Sequence, residues 1–392
     1  MQKKENNIPL PARYEKVLLY YPPNKRSVAI ETLCNAIKEA GHELIVLTLT
    51  ERGPFHEALE QKGIKTFAHV PKRKQVWKYF LFLKQARYLV KFCRQYNIDT
   101  VWSHLQEGNI ISVIAQPFLK AKLVTFRHHA ESAFYAEFAK QLGMRRNKGE
   151  AFFDKIINRL ARTIVVPSSG VWYGMERYEK CKMSKVRLIP YIYDFKTYPQ
   201  PDAEKVKDLR NQYSCNLLLI MVSRLIPSKR HMPVFKVIRK LVNEGLSIKM
   251  IVMDDGPLRP ALESFIKKNN LGDHIFMIGF KEDFVNYMAA ADLLIHPSVT
   301  EASNNVAKEM GLLQKGVAVC RNVGDFNDYI DEHRNGYFLE SNNLAATIES
   351  VIRDAYHHPD KLKSFGGELK KDVVKHFSDS PENRQRFLEL LQ

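Results

Sequence analysis

The 392-residue chain has few of the features that mark secreted, metal-binding or membrane-spanning proteins. Its five cysteines are odd in number and scattered, with no pair at a metal-like spacing, which indicates a reducing cytosol and no structural zinc. The longest apolar runs, such as Leu217 to Val222, fall far short of the roughly 20 residues that span a bilayer. The amino-terminal stretch has no apolar signal core, so we predict a cytoplasmic protein that is not exported.

Positive charge is what the chain has in excess, and it is unevenly distributed. The formal net charge is +17. Residues 1–200 contain 34 Lys and Arg against 17 Asp and Glu, whereas residues 201–392 contain 26 of each kind. This asymmetry predicts different roles for the two halves, with the first half facing an anionic partner. Phospholipid headgroups, a lipid diphosphate acceptor and nucleic acid would each meet that description.

The length of the chain suits two domains better than one. A predicted strand at Lys16–Tyr21, a helix at Val28–Ala40 and a second strand at Leu44–Leu49 form a parallel β-α-β unit near the start. We therefore expect an α/β architecture in the first half.

The most informative stretch runs from Leu293 to Glu309. An apolar strand ends at a Pro-Ser pair, and a polar turn then leads into a predicted helix. Free N–H groups near Asn304 and Asn305, together with the helix dipole, would favour an anion above the strand. Glu301 and Glu309 flank this corner with seven residues between them. A lone pair of glutamates at this spacing is more often just a solvated pair beside a helix.

This Glu-x7-Glu spacing after an apolar strand resembles the signature of the family 4 glycosyltransferases, which are retaining enzymes of the GT-B fold. The nearest form is Glu-x-x-Pro-Asn-Val-x-x-Glu. Here it is represented by Glu301, Asn305, Val306 and Glu309, with Asn304 at the position where proline is common.

The resemblance implies an α/β protein of the GT-B fold, in which two Rossmann-like domains present parallel sheets to each other across a cleft. We expect an acceptor-side domain at residues 1–195 and a nucleotide-sugar-binding domain at residues 196–375. Residues 376–392 are expected to form a helix that packs back on the first domain. In this fold the chemistry takes place in the cleft.

A pair of cations after another apolar strand resembles the residues that hold the donor diphosphate in this family. These are Arg224 and Lys229, followed by Arg230 and His231. Ser228 is the expected N-cap of a helix that begins at about Lys229. Cations in the first turn of a helix oppose its dipole, and a bound anion would remove that conflict.

Two later strands end in residues that resemble other parts of the donor site. Gly256 lies in a turn like the family's Gly-x-Gly-Pro, with Asp254 replacing the first glycine. Asp254 and Asp255 also suggest a magnesium site. Adjacent residues of an extended segment point to opposite sides, however, and we expect no metal and no cofactor. Phe280 ends the strand that resembles the one bordering the nucleobase.

In the first half, a predicted strand at Lys122–Phe126 ends at His128 and His129. One of these histidines resembles the family's amino-terminal active-site histidine, and the sequence does not choose between them. Their place at the carboxyl end of a strand favours a functional role over a structural one. The polar, basic segment Arg145–Glu150 is predicted to be a loop, either on the acceptor side or simply on the surface.

Residues 71–97 are the most basic and most aromatic stretch of the chain. Lys84, Arg87, Lys91 and Arg94 recur on one face of a predicted helix. A basic amphipathic helix of this kind suits an anionic membrane surface and would place the protein at the inner face of the plasma membrane. The alternative is a helix packed on the sheet with a solvated charged face.

The resemblance also implies residue roles and a reaction. Glu309 would bind the ribose, while Glu301 and the amides of Ser303, Asn304 and Asn305 would hold sugar hydroxyls. A sugar would pass from a nucleoside-diphosphate sugar to a glycan or lipid-linked acceptor, as in bacterial surface polysaccharide or lipopolysaccharide synthesis. The leaving phosphate would take the acceptor's proton, so the two glutamates are not a hydrolase acid-base pair.

Three alternatives remain at the level of sequence. A GT-B-fold sugar-nucleotide epimerase would bind the same donor without transferring it. A non-catalytic relative would bind only the nucleotide or an anionic surface. A basic nucleic-acid-binding protein is supported by the net charge alone, because the chain has no recognisable reading motif, and we expect no specific nucleic acid as a partner.

Overall fold

The structure is a computed structural model, and it describes residues 14–71, 78–129, 132, 135–136 and 148–392. Its strands form two sheets in which every pairing is parallel. The strands of the first sheet are β1 Lys16–Tyr20, β2 Glu43–Thr48, β3 Lys65–Ala68, β4 Thr100–His104, β5 Lys122–Phe126, β6 Ile164–Val166 and β7 Val186–Leu188. Those of the second are β8 Leu217–Val222, β9 Ile248–Met253, β10 Ile275–Gly279, β11 Leu293–His296, β12 Gly316–Cys320 and β13 Tyr337–Leu339.

Helices connect the parallel strands, as a parallel sheet requires. In the first half they are Val28–Glu39, Pro54–Glu60, Lys78–Gln95, Leu105–Ala115, Lys148–Leu160 and Ser169–Arg177. Those that follow are Ala203–Gln212, His231–Asn243, Arg259–Lys268, Phe284–Ala290, Asn305–Leu312, Phe326–Tyr329, Leu344–His357, Pro359–Phe377 and Pro381–Leu388.

The chain divides into two compact units, each built around one sheet. The first unit contains the first sheet together with Phe377–Gln392, and the second unit contains Thr197–His376. Helix and strand alternate from β1 to β13, so the prediction of two Rossmann-like parallel sheets is confirmed.

The core of the first unit includes side chains from the end of the chain. Phe387, Leu390 and Leu391 are buried in the same cluster as Val17 and Trp102. The rings of Trp102 and Phe387 lie 6.4 Å apart between centroids. Residues that follow the second unit in sequence therefore help to fill the hydrophobic core of the first.

Each sheet has a point at which the order of its strands reverses. The first sheet runs β3-β2-β1-β4-β5-β6-β7, with the reversal between β1 and β4. The second runs β10-β9-β8-β11-β12-β13, with the reversal between β8 and β11. In open α/β sheets, ligands bind outside the carboxyl ends of the strands at such a reversal.

Candidate functional site

The loops after β8 and β11, at the reversal of the second sheet, bring Lys229 and Glu301 together. Their side chains form an ion pair in which both are largely buried. Lys229 Nζ also lies 3.3 Å from Ser298 Oγ, and His296 Nε2 lies 2.7 Å from the same Glu301 oxygen. Burial alone would raise the pKa of Glu301, but its contacts with His296 and Lys229 hold that pKa well below its usual value. Glu301 is therefore a carboxylate at neutral pH.

His296 is a further member of this cluster that the sequence-based predictions did not include. It is the last residue of β11 and is buried. Its Nε2 also lies 3.1 Å from Asn304 Nδ2, so one imidazole nitrogen meets both the carboxylate and the amide. The available signal was a polar residue at the end of an otherwise apolar strand.

The helix after β8 begins later than predicted. Residues Pro227–Lys229 form a 3-10 turn, Arg230 adopts a left-handed conformation with φ 52°, and the α-helix starts at His231. Ser228 is therefore not the N-cap. Its carbonyl instead accepts a hydrogen bond from the Val299 amide at 3.0 Å, which ties the two loops together. The break turns Lys229 out of the helix and toward Glu301.

Arg230 is held by the protein itself. Its Nε donates to the Pro297 carbonyl at 2.5 Å, and its Nη2 lies 2.8 Å from Cys320 Sγ and 3.2 Å from Ser341 Oγ. Burial lowers its pKa. Arg230 therefore fastens the loop after β8 to the neighbouring strand ends.

The helix after β11 begins where the sequence predicted, but its first amide is occupied. Asn304 is the N-cap of Asn305–Leu312, and its Oδ1 accepts from the Ala307 amide at 2.8 Å. Its own N–H donates to Asp325 Oδ1 at 3.1 Å. The expectation that the amide of Asn304 is free for a ligand is therefore wrong, because Asp325 already binds it.

A buried ion pair beneath this turn was not foreseen. Lys308 Nζ lies 2.5 Å from Asp325 Oδ2, and it also donates to Ser303 Oγ at 2.9 Å and to the Asn304 carbonyl at 2.8 Å. Burial lowers the pKa of Lys308, with Asp325 opposing the shift. Ser303 also donates to Asp325 at 2.7 Å, so this pair fixes the conformation of the turn.

Glu309 lies on the second turn of the same helix and is half-buried. Burial raises its pKa, and a hydrogen bond from Tyr198 and the charge of Lys308 oppose that shift only in part. Val306 is half-buried beside it, while Asn305 is exposed. Hydrogen-bond donors, such as the two hydroxyls of a diol, would offset the desolvation of the Glu309 side chain.

The other predicted donor-site residues lie at the carboxyl ends of neighbouring strands. Arg224 is exposed on the loop after β8. Gly256 packs against that loop, and a Cβ placed on it would lie 2.7 Å from the Leu225 carbonyl oxygen, so only glycine fits. Asp254 has φ 87°, a conformation that favours the glycine expected there. Phe280 follows β10 with 75% of its surface exposed.

In the first unit, the two predicted histidines differ in their surroundings. His128 Nε2 lies 3.1 Å from His104 Nδ1, and its Nδ1 is bonded to the Tyr191 hydroxyl. Burial, followed by the charge of His129, lowers the pKa of His128 to about 3, so its ring is neutral at physiological pH. His129 is exposed. Both ring nitrogens of His128 are thus occupied by the protein.

Arg127 anchors the backbone beside these histidines. Its Nε donates to the His129 carbonyl at 2.8 Å, and its Nη2 lies 2.8 Å from Asp154 and 2.9 Å from Glu179. Residues 145–147 of the predicted basic loop lie outside the described residues. Residues 148–150 open the helix Lys148–Leu160, so that part of the loop prediction is wrong.

Among the residues that the structure describes, no group of three or more His, Cys, Asp or Glu side chains is placed to hold a metal ion. No helix in that part of the chain is both long enough and apolar enough to span a membrane.

Two family models match the chain, one in each half. The model of glycosyl transferases group 1 matches residues 204–372, and the model of Glycosyltransferase Family 4 matches residues 27–195. The first covers the Lys229–Glu301 cluster and the second covers His128 and His129.

Curated relatives are distant but extend over both halves. An uncharacterized glycosyltransferase of Methanocaldococcus jannaschii is 22% identical over 263 residues, which are 64% of this chain and 62% of that protein. The N-acetylgalactosamine-N,N'-diacetylbacillosaminyl-diphospho-undecaprenol 4-alpha-N-acetylgalactosaminyltransferase of Campylobacter jejuni is 23% identical over 302 residues, 73% of this chain and 76% of that enzyme. The match thus spans less than two thirds of the archaeal relative.

Among solved structures, the Anabaena protein HepE in complex with UDP and glucose superimposes with a TM-score of 0.75. The identity is 20%, and the alignment covers 96% of this chain and 99% of HepE. At this identity the likeness establishes the fold alone.

Proposed function

Because this chain belongs to the family 4 glycosyltransferases and has the GT-B fold, we propose that it transfers a sugar from a nucleoside-diphosphate sugar to a glycan or lipid-linked acceptor, with retention of configuration. The observation that supports this most directly is the contact between Lys229 and Glu301 at the reversal of the second sheet. It brings a phosphate-binding cation and a hydroxyl-binding carboxylate to the place where open α/β sheets bind nucleotides.

In this proposal, each part of the donor meets a suitable group. Arg224 and Lys229 bind the diphosphate, and their charge stabilises the nucleoside diphosphate as it leaves. Glu309, whose pKa is raised by burial, accepts hydrogen bonds from the ribose hydroxyls. Glu301, fully ionised, accepts hydrogen bonds from the sugar, together with the turn that Asp325 fixes. Phe280 offers an exposed aromatic surface to the nucleobase.

The reaction needs no protein nucleophile in this scheme. Glu301 is held by Lys229 and His296, and its lowered pKa makes it a poor base. The acceptor hydroxyl attacks the face from which the nucleoside diphosphate departs, and the leaving phosphate takes the proton, so the configuration is retained. We propose that transfer requires neither metal nor cofactor, since the cations of the donor site come from side chains.

Binding of a nucleotide tests the donor site. We would measure the thermal shift caused by UDP, GDP, ADP and CMP, each with and without EDTA, in the wild type, in Lys229→Ala and in Lys236→Ala. Lys236 is an exposed lysine on the next helix and serves as the matched control. A shift that survives EDTA, persists in Lys236→Ala and is lost in Lys229→Ala supports the proposal.

The same measurement separates the alternatives. Absence of a shift with all four nucleotides would refute the donor site. A normal shift accompanied by an epimerised sugar, formed without any acceptor, would indicate an epimerase instead. Glu309→Gln should weaken the nucleotide shift by loss of the ribose contact, and an unaltered shift would refute that role.

For the acceptor, we propose a lipid-linked glycan at the inner face of the plasma membrane, in surface polysaccharide or lipopolysaccharide synthesis. The Campylobacter relative acts on a diphospho-undecaprenol substrate, as its name states. The helix Lys78–Gln95 supports the same proposal, because Lys84, Arg87, Lys91 and Arg94 are all exposed on it. Residues 72–77 of the predicted basic stretch lie outside the described residues.

An apolar groove accompanies this basic face. It has a volume of about 580 Å³ and lies between Lys78–Gln95 and the end of Leu105–Ala115. Leu83 and Phe118 border it, with 49% and 66% of their surfaces exposed. Apolar side chains flanked by cations match an anionic bilayer, where the cations meet phosphates and the apolar groups meet acyl chains.

Vesicle binding tests the membrane proposal. We expect the protein to sediment with phosphatidylglycerol vesicles but not with phosphatidylcholine vesicles, and to be released by salt. Arg87→Gln with Lys91→Gln should lower binding several-fold, whereas the control pair Lys155→Gln with Arg159→Gln, exposed on another helix of the same unit, should not. Equal losses in the two double variants would mean that only net charge matters.

A further inference from the structure

His296 presents a single ring nitrogen to two polar side chains that follow β11. Its Nε2 lies 2.7 Å from Glu301 Oε1 and 3.1 Å from Asn304 Nδ2. An imidazole nitrogen either carries a proton and donates or carries a lone pair and accepts, so it cannot bond to both neighbours at once. The carboxylate requires a proton on Nε2, whereas the amide nitrogen, which offers only hydrogens, requires a lone pair there.

The Asn304 amide cannot resolve this conflict by turning over. Its Oδ1 caps the helix Asn305–Leu312 by accepting from the Ala307 amide at 2.8 Å. Its backbone N–H donates to Asp325 Oδ1 at 3.1 Å, which holds the residue in place. Rotation of the side-chain amide would exchange its oxygen and nitrogen and break the N-cap. Nδ2 therefore stays toward the ring, and the proton on His296 decides which neighbour is bonded.

The shorter of the two contacts assigns that proton. A hydrogen bond from a nitrogen to a charged partner spans about 2.7–2.9 Å, and the contact with Glu301 lies in that range. Without a proton on Nε2, a nitrogen lone pair would face a carboxylate oxygen at the same distance. A ring that carries both protons also donates from Nε2, so the assignment holds in either charge state. His296 therefore donates to Glu301 Oε1.

The His296 ring and the Glu301 stem are both fixed by packing. His296 ends β11, pairs in register with Val319 of β12 and is 2% exposed. Phe326 packs edge-on against its ring, with 6.0 Å between the centroids. Gly324 packs against Glu301, since a Cβ on that glycine would lie 2.8 Å from Glu301 Cβ. The donor nitrogen and the carboxylate thus meet in one defined geometry.

Both partners of Glu301 share one of its two oxygens. Lys229 Nζ and His296 Nε2 each contact Oε1, and no hydrogen bond to Oε2 occurs among the residues that the structure describes. A diphosphate that binds Lys229 would remove one of these two donors. The Glu301 side chain is only 12% exposed, so a carboxylate that lost both donors would be left buried and uncompensated, which is costly.

From this arrangement we propose that His296 is a positioning residue, which holds Glu301 Oε1 after the donor diphosphate has drawn Lys229 away and so presents Oε2 to the sugar. The inference rests on the proposed function, because it concerns the exchange of partners that donor binding imposes on Lys229 and Glu301. His296 acts through the charge of Glu301. Its loss should therefore weaken nucleotide binding only while residue 301 is a carboxylate.

A double-mutant cycle tests this role. We would titrate UDP, or whichever of GDP, ADP and CMP the thermal-shift panel selects, into His296→Leu, Glu301→Gln and the double variant. His296→Leu should bind the nucleotide about tenfold more weakly than wild type, since the buried carboxylate loses its remaining donor. In the Glu301→Gln background, the same change should alter the affinity less than about twofold, because an uncharged amide without a donor costs less than a charge.

Two further variants separate positioning from a structural role. His296→Gln places an amide N–H where Nε2–H was and should bind within about threefold of wild type. His56→Leu removes an equally buried histidine from the first unit and should bind as wild type does. Equal losses from His296→Leu in both backgrounds, no loss in either, or failure of His296→Gln to restore binding would each overturn the inference.

The proton itself can be located in the nucleotide-free wild type. Nitrogen NMR of isotope-labelled histidine reports which ring nitrogen is protonated, and the His296 signals are those absent from His296→Gln. We expect a proton on Nε2. A ring protonated at Nδ1 alone would overturn the inference while the proposed function stands. If Nε2 is protonated but no nucleotide binds, the proposed function is refuted, and with it the exchange of partners, which leaves His296 a structural donor to Glu301.

Discussion

Replacing Glu301 with glutamine should strengthen the binding of free nucleoside diphosphate while abolishing sugar transfer. In the structure, Lys229 is already paired with Glu301, so an incoming diphosphate must share or displace that carboxylate. Glutamine has the same shape and retains an oxygen that can accept from His296, but it carries no charge. Lys229 is then left for the phosphates, whereas the sugar loses its charged partner.

The magnitude follows from the geometry of the pair. The side chains of Lys229 and Glu301 are 14% and 12% exposed, so water screens them only partly. Two charges in contact at an effective dielectric constant of about 20 interact with about 4 kcal/mol. Desolvation of both groups offsets much of this interaction. We expect a net gain of about 1.4 to 2.8 kcal/mol, which is a 10- to 100-fold tighter dissociation constant.

Isothermal titration of UDP into wild type, Glu301→Gln and Glu309→Gln provides the assay, with sugar transfer measured in parallel. Glu309 accepts from Tyr198 and has no contact with Lys229 among the described side chains, so Glu309→Gln should not bind UDP more tightly. The gain in Glu301→Gln should shrink at high salt. Equal or weaker binding of UDP by Glu301→Gln would refute the reasoning that Lys229 is sequestered.

Three further predictions concern stability and fit. Burial lowers the pKa of His128 to about 3, so between pH 6.5 and 5 the unfolded chain gains a proton that the folded chain does not. Urea unfolding should therefore show stability falling by up to about 1.4 kcal/mol per pH unit from this group, and less steeply in His128→Phe. In Gly256→Ala, the new Cβ would lie 2.7 Å from the Leu225 carbonyl oxygen, so the nucleotide thermal shift should fall severely. An unchanged shift would mean that the loop after β8 moves to accommodate the methyl group. Lys308→Met should lower the free energy of unfolding, measured in urea, by about 3–5 kcal/mol, because the Asp325 carboxylate is left buried without its cation. A second change of Asp325 to leucine should recover much of this loss.

Much of the architecture could be predicted because the strands are recognisable in the sequence as apolar runs. The runs that become β8 and β11 are continuous and apolar, as strands buried on both faces must be. Polar residues follow each run at once, so the carboxyl ends of the strands, and with them Lys229 and Glu301, could be found from the sequence alone.

The turn chemistry could not be predicted in the same way. Arginine carries no signal for a left-handed backbone, yet Arg230 adopts one, which moves the helix start from the expected Lys229 to His231. Long-range pairs were equally hidden. Lys308 and Asp325 are 17 residues apart on either side of β12, and they meet only once that strand has joined the sheet.

The histidines show a third limit, which is the state of a residue rather than its position. The strand end identified both His128 and His129, and the structure adds that His128 is engaged at both ring nitrogens. Its partners His104 and Tyr191 are 24 and 63 residues away. Their contact depends on the order of strands in the first sheet, which local patterns do not specify.

The burial of Phe387, Leu390 and Leu391 in the core of the first unit has a consequence during synthesis. A ribosome makes the first sheet early, but the side chains that complete its core emerge only after Thr197–His376 has been made. Most of the second unit lies within that range, so it can fold before those side chains are made. For nearly half of translation, the core of the first sheet therefore lacks the side chains that complete it. We expect chaperones to bind its exposed apolar surface during this interval.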